Sequence, residues 1–134
     1  MKIDFSNKEI IESRDVNIHD FVIADLKYAP MKNELFCLFR NDYLRQYCDI
    51  KYYNVLFVDI QSCDFWGVSP HVLDWELGEK YGNPLTKKVS ELQKSHHYTT
   101  SRFKDYDKLV ESILTFSSGN RISVLCEYIE YEKT

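Results

Sequence analysis

Cysteine, histidine and carboxylate side chains are zinc ligands and the working parts of thiol catalysis, and residues 62–76 of this chain bring all three together. Cys63, Asp64 and His71 are close enough in sequence to meet across a turn. A structural zinc site needs four ligands in paired spacings, and no second cluster supplies the other half. A thiol–imidazole nucleophile needs a group to orient the histidine and a lowered thiol pKa, and the sequence gives no sign of either. The expectation is a buried cysteine and a loop histidine, with no catalytic residue, no metal and no cofactor.

Recognition fits the same stretch better. It holds both tryptophans, Trp66 and Trp75, on either side of a Gly67-Val68-Ser69-Pro70-His71 turn. Aromatic rings beside carboxylates form sugar-stacking platforms and protein hot spots. Asp64, Phe65, Trp66, His71, Asp74 and Trp75 are therefore the candidate binding residues. The competing role is packing, since tryptophan is usually highly buried and its N–H then bonds a backbone carbonyl. Trp75, in a strand pattern, is expected to point inward. Trp66, in the turn, is the residue whose exposure would make a binding surface.

Other groups carry less. His19-Asp20 has the form of a metal-site dipeptide of helical phosphohydrolases, but it opens a strand pattern, where neighbours point to opposite faces. A local hydrogen bond at the start of the strand is expected instead. His96-His97 reads as a solvated pair after a helix. Asp105, Asp107 and Glu111 lack the glycine and terminal glutamate of a calcium loop. Phosphate loops, nucleophile elbows and H-E-x-x-H are absent.

The elements that would position these residues are mostly strands. Residues 18–28 alternate, with Ile18, Val22, Ala24, Leu26 and Tyr28 expected to face the core. A turn at 29–33 leads to a returning strand at 34–40. Residues 41–49 have no clear type. The unbroken apolar run 55–58, within a strand at 51–61, predicts a central strand covered on both faces. Residues 71–77 send Leu73, Trp75 and Leu77 to one face. Residues 83–94 form the one helix, with Asn83 as cap, Pro84 at the first position and Leu85, Val89 and Leu92 as its apolar stripe. A polar loop over 95–107 precedes a last hairpin, 109–116 with 121–132, turned at 117–120. The fold class is mainly β with one α-helix, an antiparallel β sandwich or strongly curved sheet, in a single domain over residues 1–134.

Composition agrees. Aromatic residues make up 15% of the 134 residues, including ten tyrosines and eight phenylalanines, which favour pleated surfaces. A net charge of −4 without a basic stripe excludes a general nucleic-acid binder. Cys37, Cys48, Cys63 and Cys126 form no C-x-x-C pair and are expected to be reduced thiols in a cytoplasmic protein. No stretch approaches the roughly 18 apolar residues that cross a membrane as a helix.

The His19-Asp20 start of a strand, the turn at 29–33, the strand at 55–60 and the terminal set Phe116, Arg121, Val124, Cys126 and Ile129 resemble small bacterial β-rich families. Immunity proteins of polymorphic-toxin systems are among them. The resemblance spans about residues 18–130 and implies a cytoplasmic protein that binds a protein partner and has no catalytic residues. Two alternatives stand beside it. One is a small-molecule or carbohydrate-binding domain, with or without enzymatic activity, using Cys63 and His71 near a pocket. The other is a structural or assembly module that pairs through an exposed edge.

Overall fold

Alternating apolar side chains need a facing layer to leave water, and two antiparallel sheets here bury theirs against each other. The computed structural model describes residues 1–13, 16–61, 70–96 and 108–134, with backbone only for residues 93–96. Along the chain come β1 (Lys2–Asp4), β2 (Val22–Ala29), β3 (Glu34–Asn41), β4 (Gln46–Tyr53), β5 (Phe57–Ile60), β6 (Val72–Leu77), α1 (Pro84–His96), β7 (Val110–Phe116), β8 (Arg121–Cys126) and β9 (Tyr128–Lys133). One sheet has the order β1-β9-β4-β3-β2 and the other β5-β8-β7-β6. Leu35, Cys37 and Phe39 of β3 and Ile50 and Tyr52 of β4 share one core with Leu114 and Phe116 of β7 and Val124 and Cys126 of β8. The protein is mainly β with one helix, as its alternation predicts.

Three strands depart from simple alternation, each for a local reason. A bulge between Ile23 and Asp25 changes the phase of β2, so Ile23 and Leu26 pack on the core while Ala24 and Tyr28 are exposed. A bulge between Val72 and Asp74 does the same in β6. Val72 is buried there and Leu73, expected inside, is 44% exposed. The apolar run 55–58 is not a central strand. Asn54 adopts a left-handed backbone (φ 52), β4 ends at Tyr53, and β5 starts at Phe57 on the edge of the second sheet. The run is apolar because Val55 enters the shared core while Leu56 and Phe57 pack under the helix.

The stretch expected as one last strand is two. Ile122, Val124 and Cys126 face the core from β8, and Ile129 and Tyr131 face it from β9. Glu127 lies between, outside either strand, and supplies the odd residue that re-phases the chain as it changes sheet. Its N–H donates to the Tyr53 carbonyl. Helix α1 lays Leu85 and Val89 on Leu109 and Leu125, covering part of the outer face of the second sheet. Leu92, the third residue of the stripe, is 39% exposed. Among the described residues no helix is long and apolar enough to cross a membrane.

Candidate functional site

The first residue of β6 is tied on both sides. Asp20 N–H donates to the Val72 carbonyl at 2.8 Å, and Val72 N–H donates to the Phe21 carbonyl at 2.7 Å. His71 N–H donates to Ser117 Oγ at 3.1 Å, while Ser117 N–H donates to the His71 carbonyl at 2.8 Å. The isolated bridge between Val22 and His71 thus joins the edge of one sheet to the edge of the other.

His19 and Asp20 belong to a turn ahead of β2 rather than to the strand itself. Asp20 has a left-handed backbone (φ 71), which frees its carboxylate from strand alternation. Its Oδ2 lies 3.1 Å from His19 Nδ1, the local contact expected at the start of the strand. Its Oδ1 lies 3.7 Å from His71 Nε2, a contact the sequence did not announce. All three side chains are about half exposed, so solvent screens their attraction and its main effect is to orient the imidazoles. Among the described residues no group of three or more His, Cys, Asp or Glu is arranged to hold a metal ion.

The left-handed backbone makes Asp20 testable. Asp20→Ala should cost about 1 kcal/mol, because only Gly, Asn and Asp enter this region readily. Asp20→Gly, which removes the same carboxylate without backbone strain, should stay within about 0.5 kcal/mol of the parent. Urea unfolding of both variants checks this. Equal losses would mean that the carboxylate contacts, not the backbone, set the cost.

Beside this corner a cavity of about 330 Å³ opens between residues 11–13 and 16–19 on one side and β6 on the other. Glu12, Ser13, Asn17, His19, Asp74 and Trp75 are among the residues lining it. Trp75 is 8% exposed and belongs to the core, as an inward tryptophan should. Its Nε1–H donates to Ser112 Oγ at 2.9 Å, a side chain rather than a backbone carbonyl, and its ring lies 5.8 Å from that of Tyr131. Asp74 is half-buried and accepts a long hydrogen bond of 3.4 Å from the Tyr81 hydroxyl. Burial, then the neighbouring Glu76 carboxylate, pushes its pKa above the ordinary value. Ser13 Oγ is buried with no hydrogen-bond partner.

The structure therefore brings His71, Asp74 and Trp75 to one corner. Asp64, Phe65 and Trp66, with Cys63, lie outside the described residues. The remaining thiols are buried, and burial pushes Cys37 and Cys48 up to about 12 and Cys126 further still. They pack as small apolar groups, as expected. Neither a protein-family model nor a curated protein matches this chain.

Glu12, Ser13 and Asn17 escaped the sequence reading, and so did the contact of Asp20 with His71. The first three come from a short 3-10 turn and the residues after it, where no periodicity marks a binding role. Asp20 was visible only as half of a dipeptide. Its link to His71 depends on two sheet edges meeting.

Proposed function

We propose that this protein is a non-enzymatic cytoplasmic binding protein whose partner is another protein, in the manner of an immunity protein that masks its toxin. One observation carries the reading. The 330 Å³ cavity does not stand alone, because a second cavity of about 190 Å³ shares Ile11 and Glu12 with it and continues past Glu76 and Leu77. Two open cavities therefore lie side by side along β6, an arrangement that suits an extended segment of chain better than one enclosed small molecule. Leu73, exposed at the rim by the β6 bulge, supplies an apolar contact, and His71 and Asp74 supply polar ones. Asp64, Phe65 and Trp66, a few residues before His71 in the sequence, complete the proposed binding residues.

Affinity capture from the native cell, followed by titration with the captured protein, tests this. A single protein should co-purify, and Trp66→Ala and His71→Ala should each weaken its binding at least about tenfold, as hot-spot residues do. A captured protein that binds both variants as it binds the parent would remove this corner as the binding site.

A further inference from the structure

We propose that the outer face of the β2–β3–β4 meander is a self-association surface, on which a second copy of this chain packs the same face about a two-fold axis. The surface uses none of the residues at the β6 corner and is independent of the function proposed above. Alternation divides the side chains of these strands between two faces. Leu35, Cys37 and Phe39 of β3 and Cys48, Ile50 and Tyr52 of β4 point into the core, each 1% exposed or less. Their neighbours point the other way. Phe36, Leu38 and Asp49 are half-buried there, and Asp25, Lys27, Arg40 and Lys51 are exposed. Lys51 Nζ lies 5.7 Å from the centre of the Phe36 ring, so the two share that face. Among the described residues the one α-helix packs on the other sheet.

The strand register arranges the charges in rows. Lys27, Phe36 and Lys51 are direct neighbours across the three strands, and so are Asp25, Leu38 and Asp49 two residues along. A row ending in lysines thus lies beside a row ending in aspartates, each with an apolar residue at its middle. On β3, Glu34 lies beyond the lysine row and Arg40 beyond the aspartate row. A two-fold axis running across the strands, level with Leu26, Cys37 and Ile50, lays each row of one copy on the other row of its mate. Lys27 then meets Asp25 of the second copy, Lys51 meets Asp49, Glu34 meets Arg40, and Phe36 meets Leu38. A two-fold along the strands would set Lys27 against Lys51 and Asp25 against Asp49, so charge selects the first arrangement. On β9 that arrangement sets Glu130 against Glu132, which confines the contact to the meander.

Within one chain these charges are only loosely engaged. Lys27 Nζ lies 3.7 Å from Asp25 and Arg40 Nε lies 3.5 Å from Asp42, all near half exposed or more, so water screens both pairs. Three strands about 4.8 Å apart, each about 24 Å long, offer about 1,000 Å² of total buried surface, the lower limit for a specific pair. A weak, reversible dimer follows.

Sedimentation equilibrium of the full chain from about 5 to about 500 µM tests this. The parent should show a monomer–dimer equilibrium. Lys51→Asp sets two aspartates face to face and Asp49→Lys sets two lysines face to face, and each alone should weaken the dimer at least tenfold. Mixed, the two variants meet opposite charges at both pairs and should form a heterodimer within about threefold of the parent affinity. Both variants keep a net negative charge, since each change shifts the parent value of −4 by two, so general attraction does not account for that result. Circular dichroism establishes that both fold. Glu34→Arg and Arg40→Glu repeat the exchange on β3 if either does not. A parent that stays monomeric throughout overturns the proposal. So does a dimer that both variants leave intact, and so does a mixture no more associated than either variant alone.

Discussion

Gly78→Ala should destabilise the fold by about 2–3 kcal/mol, seen as a lower urea midpoint at unchanged slope. A Cβ at Gly78 would lie 2.1 Å from Glu111 Oε2 and 2.8 Å from both Cδ and Cγ of the same side chain. Glu111 has little room to withdraw. It is 3% exposed, and its Oε1 accepts the Thr86 N–H at 2.7 Å, serving one of the open amides at the start of α1. The added methyl therefore breaks the anchor of the helix as well as the packing. Removing the obstacle should reveal this, so that Gly78→Ala combined with Glu111→Ala costs clearly less than the sum of the two single changes. Additive costs would mean that Gly78 and Glu111 do not share the strain.

The same glutamate carries a pH signature. Burial pushes its pKa up, against the hydrogen bonds from the start of α1 that pull it down. The folded state therefore binds the proton more tightly than the unfolded chain does. The stability from this proton is fully present below the unfolded carboxylate value and is lost as pH rises through the raised folded value. Relative to Glu111→Gln, the parent should gain stability on acidification from neutrality toward that window. A difference that stays flat with pH would show that Glu111 is not held in this way.

Ser112→Ala should be costlier than its one lost oxygen suggests, at about 3 kcal/mol. Ser112 is fully buried, and its Oγ accepts the Trp75 indole N–H at 2.9 Å and lies 3.1 Å from the Tyr52 hydroxyl. One deletion strands two buried polar groups from opposite sheets. The control is Ser112→Ala with Tyr52→Phe, which removes one stranded group and should recover about 1 kcal/mol. Urea unfolding followed by circular dichroism reads both. A cost below about 1 kcal/mol for Ser112→Ala would mean that Trp75 and Tyr52 find other partners.

What the sequence revealed depended on how local each cause was. Pro84 with Leu85 and Val89 announces the helix, because position and stripe are read within a few residues. Its anchor did not show, since Glu111 lies 25 residues from Thr86. A glutamate inside the apolar run 109–114 was nonetheless a signal, for a charge in a covered strand needs a reason to be there. Alternation found β3 and β6. It misplaced Leu73 and Ala24, because a bulge inserts one residue that no composition marks. Asn54 hid the break between β4 and β5 for a similar reason, being one left-handed residue inside a strand-like run. At the candidate site, His71, Asp74 and Trp75 stood out by type. Glu12, Ser13 and Asn17 join them only because a distant turn packs on the edge of β6.

The place of β9 also bears on how the molecule comes into being. β1 sits at a sheet edge and pairs with β9, and the Met1 amino group reaches the Tyr131 carbonyl across a separation of 130 residues. β9 fills the gap between β1 and β4, so β1 has no template until the strands between them in the chain have been synthesised. The β2–β3–β4 meander can form early from neighbours in the chain. The sheet closes only when this interior strand arrives, and non-local pairing of this kind slows folding. The exposed edge of β4 is meanwhile a place where chaperones, or a second nascent chain, can compete.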